Sequence, residues 1–194
     1  MTTGPTGQPR IYATITPLAP TLETARLRLR GWQARDIEPF RAMMADPEVA
    51  RFITAEGQAL NARQAWLQMS MFAGHWALYG HGMFVVEDKA TGVFLGRVGT
   101  LMPPFWPGFE IGWGIARAHQ GKGFATEAAD AAIDWAFATF DVNEIIHLIA
   151  RDNAASRAVA RRLGAEISGD MPLFGYTVDI WASRREPWQR LHGR

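Results

Sequence analysis

Cysteine is absent from the 194-residue chain, which excludes disulfide bonds, thiolate metal sites and a cysteine nucleophile. An excess of one charge sign is also missing, because 20 basic and 19 acidic residues leave a net charge of +1. We therefore expect neither nucleic acid nor a membrane surface as a partner. No apolar run approaches the roughly 20 residues of a membrane span, and the first residues lack the pattern of a secretory signal. These absences favour a cytoplasmic protein.

The length and composition predict one globular domain with flanking segments. A chain of 194 residues with 48% hydrophobic residues can bury a sizeable core. Residues 1–20 are rich in Thr, Pro and Gly, so we predict a mobile N-terminal arm there. We place the domain at residues 21–183 and a basic, poorly anchored tail at residues 184–194.

Hydrophobic periodicity predicts an alternation of strands and helices. Leu27 and Leu29 alternate with arginines, as in a half-buried strand, whereas the run at residues 144–150 is apolar throughout, as in a strand buried on both faces. The element order β-α-α-β-β-β-α-β-α-β-β predicts an α+β sheet with helices on both faces. We predict strands at 22–32, 82–87, 93–101, 110–115, 144–150, 165–168 and 176–182, and helices at 36–45, 61–79, 124–140 and 153–163.

The stretch at residues 110–129, EIGWGIARAHQGKGFATEAA, carries the strongest functional signal. It begins as a strand, passes through a glycine-rich polar turn and continues as an alanine-rich helix. The first N–H groups of a helix have no partner within it and carry partial positive charge, and glycines let a phosphate approach closely. We expect a pyrophosphate to bind the residues Gln120, Gly121, Lys122, Gly123, Phe124, Ala125 and Thr126.

The type of phosphate ligand follows from which motif this turn fits. The nucleotide pattern G-x-x-x-x-G-K-[ST] is absent, and the dinucleotide pattern G-x-G-x-x-G fails because position 126 is Thr. The pattern Q-x-x-G-x-A fits at Gln120, Gly123 and Ala125. This loop resembles the acetyl-CoA pyrophosphate loop of the GNAT superfamily of N-acetyltransferases.

Other stretches resemble the same superfamily in the right order. Residues 22–32, 106–113, 125–128 and 153–165 resemble the branch that contains the ribosomal-protein N-terminal acetyltransferases of the RimJ and RimL type. The resemblance covers residues 21–182. It implies an α+β fold with a mostly antiparallel sheet of about six or seven strands, splayed in the middle. It also implies acetyl-CoA as co-substrate and an amine as acceptor.

The resemblance assigns further residues to the acetyl-CoA site. The pantetheine arm is expected in the gap between the splayed strands, paired with backbone at Ile115, Ala116 and Arg117. Asn153 is expected to hydrogen-bond the pantetheine arm or to hold the loop. A plain role as the N-cap of the following helix remains equally open for Asn153.

The expected chemistry is direct attack of a neutral amine on the acetyl thioester. Many members of the superfamily protonate the departing thiolate with a Tyr, but this chain has Ala160 at that position. The resemblance points to Ser156 as the replacement acid, with a capping or packing role as the alternative. Glu110 is the candidate general base or water-positioning residue, with a structural salt bridge as the alternative.

The other ionisable residues near the site have simpler interpretations. Glu127 lies in the first turn of a helix, where the macrodipole favours a carboxylate, so we predict a structural role. His147 is interpreted as a core histidine, and His119 is expected to line CoA. No spacing of His and carboxylate residues is typical of a metal site, so we predict no metal.

Two other classes of function remain open. The missing Tyr allows a catalytically silent acyl-CoA-binding module, and the glycine-rich loop allows a domain that binds a different nucleotide or a protein. The sequence also leaves the acceptor open among a protein N-terminal α-amine, a polyamine or amino acid, and an aminated antibiotic. We expect a monomer or a homodimer.

Overall fold

The structure is a computed structural model that describes residues 19–54, 56–173 and 175–193. Most of the predicted N-terminal arm, residues 1–18, lies outside the described residues. No helix in the described ranges is both long enough and apolar enough to cross a bilayer. The strands are β1 (Leu22–Glu23), β2 (Leu27–Arg30), β3 (Met83–Asp88), β4 (Phe94–Leu101), β5 (Glu110–Ile115), β6 (Glu144–Ala150), β7 (Glu166–Leu173) and β8 (Tyr176–Arg184). The α-helices are α1 (Ile37–Met44), α2 (Pro47–Ala50), α3 (Ala62–Tyr79), α4 (Phe124–Thr139), α5 (Ala154–Arg162) and α6 (Arg185–Leu191).

The predicted α+β fold is confirmed, with one sheet of eight strands in the order β1-β2-β3-β4-β5-β6-β8-β7. All neighbouring pairs are antiparallel except β5 and β6. The sheet has more strands than predicted because the first predicted strand divides into β1 and β2. Thr24 makes the turn between them, where its Oγ1 accepts from the Leu27 N–H at 2.9 Å.

The sheet is splayed in its middle, as predicted. The parallel strands β5 and β6 share one register pair, Glu110 with Ile146, and the N–H of Ile146 donates to the Phe109 carbonyl at 2.9 Å. Beyond that pair the two strands run on without pairing. The carboxyl half of β5 therefore has no strand partner on the side that faces β6.

Helices cover both faces of the sheet. On one face lies α4, whose buried alanines at 128, 129, 132 and 136 have no accessible surface and allow a close approach to β4 and β5. On the other face, α1 and α3 enclose a second cluster that includes Phe40, Met43, Phe72 and Met83. The site discussed below lies between this second layer and the splayed strands.

The expectation of a poorly anchored tail is wrong, because residues 185–191 form α6 and pack against the domain. The Arg185 guanidinium donates to the carbonyls of Phe137 and Phe140 at 2.6 Å and of Val142 at 2.9 Å, around the end of α4. Trp188 is 4% exposed, and its Nε1 donates to Asp134. A helix ends with unsatisfied carbonyls, and here an arginine from the tail satisfies them.

Candidate active site

The predicted phosphate loop lies between the end of β5 and the start of α4. Gly121 (φ +75°) and Gly123 (φ +81°) both adopt the left-handed conformation, which a residue with a Cβ takes only with strain. The two glycines turn the chain so that α4 begins at Phe124, with Gly123 as its N-cap and the side of Gly121 open to solvent. The helix N-terminus is thereby exposed to an incoming anion.

Side chains within the loop brace it against the strand. Gln120 Nε2 donates to the Ile115 carbonyl at 2.9 Å, while the Ala116 N–H donates to the Leu95 carbonyl at 2.8 Å. Because successive backbone groups of a strand point to opposite edges, the Ile115 carbonyl faces the splayed side. Lys122 Nζ donates to the Ala118 carbonyl at 3.1 Å, which holds its charge next to the turn.

Glu127 fastens the start of α4 to the first strands. Its Oε1 accepts from Thr24 Oγ1 at 2.6 Å and from the Arg26 N–H at 3.0 Å, and its Oε2 accepts from Arg26 Nε at 2.7 Å. Arg26 also donates to the Lys122 carbonyl at 3.0 Å and lies over the ring of Phe124. Burial by itself raises the pKa of Glu127, but these hydrogen bonds lower it below its ordinary value. The predicted structural role of Glu127 matches these contacts.

Replacing Glu127 by Gln is expected to lower the free energy of unfolding by about 1–3 kcal/mol near neutral pH, because charge-assisted hydrogen bonds are lost. The folded pKa lies below the unfolded one, so the wild-type advantage holds above the unfolded pKa and disappears as the pH falls. Urea unfolding at several pH values measures this. The matched control is Glu144→Gln, since Glu144 is 44% exposed in its pair with Arg184. Equal losses in both variants would contradict the role of Glu127.

A cavity of about 830 Å³ opens on the face of the sheet opposite α4. It is lined by α3, by the loop before β5, by the splayed strands and by the start of α5. The helix at residues 62–79 and the loop with Phe105 and Trp106 both contribute side chains to the wall of this cavity. Of the predicted site residues, Glu110, Asn153 and Ser156 line this cavity together, whereas the phosphate loop lies outside it at the other end of β5.

Glu110 is buried at the point where β5 and β6 separate. The carboxylate is 8% exposed, and its Oε2 accepts from Trp106 Nε1 at 2.6 Å. Burial raises its pKa to about 7, against the hydrogen bonds from Trp106 and the Leu148 N–H and the charge of Arg97. In the part of the chain that the structure describes, no cation lies within ion-pair distance of Glu110, so the alternative of a structural salt bridge finds no support.

Asn153 and Ser156 lie at the start of α5. Asn153 is its N-cap and accepts from the Ser156 N–H at 3.1 Å, as the structural alternative for Asn153 requires. Ser156 is half-buried and lines the cavity, while Ala160, one turn further along, is completely buried. A contact of Asn153 with CoA and proton donation by Ser156 remain predictions.

His147 is a buried structural histidine, as predicted. It is 1% exposed, its Nδ1 donates to the Ile111 carbonyl at 2.7 Å, and its Nε2 accepts from Ser183 Oγ at 3.0 Å. Burial lowers the pKa of His147 to about 4, so the ring is neutral. With both nitrogens occupied, the side chain joins β6 to β5 and to β8 instead of serving as a base.

Sequence reasoning missed Arg97, which lines the cavity from the middle of β4 and is 6% exposed. The only sequence signal is an arginine inside the apolar run FLGRVGTL at residues 94–101. His75 also lines the cavity, and its Nδ1 donates to the His81 carbonyl at 2.7 Å. Within residues 19–54, 56–173 and 175–193, no group of three or more His, Asp or Glu side chains is placed to hold a metal.

Comparison with known proteins identifies the family of this domain. The chain matches the profile of the acetyltransferase (GNAT) domain over residues 26–166. It is 33% identical over 152 residues to an uncharacterized protein, YkkB, of Bacillus subtilis (strain 168), covering 76% of this chain and 86% of that protein.

Solved structures show the same architecture. An acetyltransferase from Agrobacterium tumefaciens str. C58 superposes with a TM-score of 0.76 at 29% identity, covering 92% of this chain and 100% of that one. RimJ of Mycobacterium smegmatis, solved in complex with CoA-disulfide, shares the fold at 20% identity, with a TM-score of 0.68 and coverage of 87% and 90%. Since the domain profile spans most of the chain, the protein belongs to the GNAT acetyltransferases and is an acyltransferase.

Proposed function

We propose that the protein transfers an acetyl group from acetyl-CoA to a primary amine by direct attack within a ternary complex. The observation that carries the proposal is Glu110, a buried carboxylate with a pKa raised to about 7 at the point where the sheet splays. A base of that pKa is ionised to a useful extent near neutral pH and is still strong enough to accept a proton. The loop that we expect to bind the pyrophosphate lies at the opposite end of the same strand.

The chain offers three elements for acetyl-CoA. The exposed N-terminus of α4, with residues 120–126, suits the pyrophosphate. The end of β5 and the two residues that follow it, Ile115, Ala116 and Arg117, suit the pantetheine arm, because β5 has no strand partner there on the side that faces β6. Asn153 and Ser156 border that gap from α5. The structure of M. smegmatis RimJ, which contains CoA-disulfide, supports CoA as the ligand of this fold.

The chemistry then follows in balanced steps. Glu110, directly or through a water, takes the proton from the ammonium, and the neutral nitrogen attacks the thioester carbon. A backbone N–H of the splayed strand stabilises the negative oxygen of the tetrahedral intermediate. The C–S bond breaks, and the amide forms as its nitrogen loses a second proton to solvent. Ser156 supplies a proton to the departing thiolate and regains one from solvent, and Glu110 releases the proton that it took from the ammonium to solvent.

The acceptor belongs among the amines that reach Glu110 through the cavity. The resemblance to ribosomal-protein N-terminal acetyltransferases favours a protein N-terminus, and a small amine is the other class. Part of the rim is apolar, since Phe105 is 80% and Leu78 is 78% exposed where they line the opening. We therefore expect some contacts to the non-reacting part of the acceptor to be apolar at the entrance.

The proposal predicts that acetyl-CoA raises the melting temperature of the protein whereas ATP and NAD do not. It also predicts release of free CoA thiol when an amine panel is added, with one acetylated amine formed for each CoA. Binding without transfer to any amine would favour the catalytically silent acyl-CoA-binding module. A shift with ATP or NAD and none with acetyl-CoA would overturn the assignment of the loop.

A further inference from the structure

Among the described residues that line the cavity, Arg97 is a buried cation that interacts electrostatically with Glu110 but forms no ion pair with it. At the rim, Arg51 and Asp152 pair with each other at 2.8 Å. His147 is neutral because burial lowers its pKa to about 4, and Glu110 is partly protonated near pH 7 because burial raises its pKa to about 7. Arg97 lies on the sheet side of the cavity, and although burial lowers its pKa to about 10, it still carries its charge near pH 7.

Arg97 has weak partners for a buried guanidinium. It lies in the middle of β4, opposite Gly114 of β5, and Nη1 donates to the sulfur of Met83 at 3.4 Å. The guanidinium carbon lies 5.1 Å from the ring centroid of Phe72. Its Nε has no hydrogen-bond partner, and among the described residues no carboxylate lies within ion-pair distance of it. An arginine carries five N–H donors, so most of this capacity is unused.

The same chain shows how a buried arginine is otherwise satisfied. Arg30 is 7% exposed, comparable with Arg97. Its Nε donates to Glu87 at 2.7 Å, and its two terminal nitrogens donate to the two oxygens of Asp36 at 2.8 Å. Burying a charge without a partner is costly, so a guanidinium kept unpaired beside a cavity points to a partner that arrives with a ligand.

We propose that Arg97 binds a carboxylate of the acceptor, so that the enzyme acetylates amines that also carry an acidic group. This inference rests on the acetyl transfer proposed above and names its acceptor class. A planar guanidinium matches a carboxylate in shape and donor spacing. One positive charge balances a monoanion, whereas a phosphate dianion would leave an excess charge in a largely apolar cavity.

One atom of a second side chain that lines the cavity also lacks a hydrogen-bond partner among the described residues. The Oε1 atom of Gln68 on α3 is buried and accepts no hydrogen bond from the described residues. An acceptor oxygen there suits an N–H group of the same ligand. A polyamine or an aminated antibiotic would instead bring further positive charge toward Arg97, so both are disfavoured as acceptors.

The sheet register indicates how far apart the amine and the carboxylate of the acceptor should be. Arg97 pairs with Gly114 and Leu101 pairs with Glu110, so the two functional residues are four positions apart along the strands, about 13 Å at the Cα atoms. Gly112 lies between them on the same face of β5 and lines the cavity without a side chain. The acceptor therefore presents its amine to Glu110 and its acid toward Arg97 along this strip.

The test compares amines that carry a carboxylate at graded distances from the nitrogen with the matching uncharged amides. For the wild-type protein we expect kcat/KM to favour the acid over its amide by roughly tenfold or more, mainly through KM. Arg97→Met should abolish this preference, and Arg97→Lys should retain part of it. Both variants should keep the wild-type affinity for acetyl-CoA, because Arg97 lies away from the loop.

The acid-to-amide ratio separates recognition from stability, since a merely structural arginine would lower both rates together. Equal use of acid and amide by the wild type, no transfer to any acid, or an unchanged preference in Arg97→Met overturns the inference. If Arg97→Met fails to fold, the acid-to-amide ratio of kcat/KM in the wild type and in Arg97→Lys tests the inference. Acetyl transfer to amines without a carboxylate, with no preference for acids, would refute only this inference and would still support the proposed acetyltransferase function. Absence of both acetyl-CoA binding and CoA release would refute both proposals.

Discussion

The Gly123→Glu variant is expected to lose acetyl-CoA binding by roughly 100-fold or more in a calorimetric titration. A carboxylate at the N-terminus of α4 would lie where the pyrophosphate is expected, and two like charges about 4 Å apart repel by about 4 kcal/mol near a protein surface. The new side chain also fills the space that the glycine leaves for a phosphate. The nearest neighbour of a Cβ there is Arg26 Nη2 at 3.4 Å, so the loop has room for the side chain, although the φ of +81° adds backbone strain.

Two controls separate charge from backbone strain. Gly80, the C-cap of α3, has a φ of +70° and nothing within 4 Å of a Cβ, so Gly80→Glu introduces comparable strain away from the loop. The free energy of unfolding of Gly80→Glu should fall by about 1–2 kcal/mol, as in Gly123→Glu, but Gly80→Glu should still bind acetyl-CoA. Gly123→Gln keeps the bulk without the charge and should bind more tightly than Gly123→Glu. A folded Gly123→Glu protein with wild-type affinity would show that the pyrophosphate lies elsewhere.

The glycine-rich turn, the strands on either side of it and α4 were predictable because their signals are local, whereas the splay of the sheet was expected only from the resemblance to the superfamily. Gly121 and Gly123 are next to the helix that they start, and the apolar run of β6 reports burial on both faces without knowledge of its neighbours. The extra edge strand β1 escaped prediction because its boundary depends on a hydrogen bond of one threonine. Its two residues are too few to show a period of their own.

The features that could not be predicted from the sequence depend on contacts between residues far apart in the chain. Arg97 looks like a strand arginine that reaches the solvent, and its burial appears only when α3 places Phe72 over it. The anchoring of α6 depends on Arg185 meeting the carbonyls at the end of α4, more than forty residues away in the chain. The raised pKa of Glu110 likewise needs the enclosing cavity, since the residue itself is an ordinary strand glutamate.

The Glu110→Gln variant is expected to lower kcat/KM by roughly 100- to 1,000-fold while acetyl-CoA affinity stays within a few-fold of the wild type. General-base catalysis contributes on this scale, and the amide keeps the shape of the side chain but accepts no proton. Trp106 Nε1 can still donate to the amide oxygen, so the local packing is preserved. CoA release with the best amine of the panel measures the rate, and calorimetry measures the affinity.

The pH profile distinguishes a base from a residue that only shapes the cavity. Because Glu110 must be ionised to accept a proton, wild-type kcat/KM should rise through about pH 7, and this rise should be missing in Glu110→Gln. Ionisation of the amine contributes equally to both proteins, so the ratio of their kcat/KM values isolates the contribution of Glu110.

The Trp106→Phe variant removes a hydrogen bond that lowers the pKa of Glu110. The rise of kcat/KM in this variant should therefore occur at a higher pH than in the wild type. A ratio that does not change with pH, or a Trp106→Phe profile that coincides with the wild type, would assign proton removal to another group or to solvent. Glu110 would then be a residue that shapes the cavity beside Arg97.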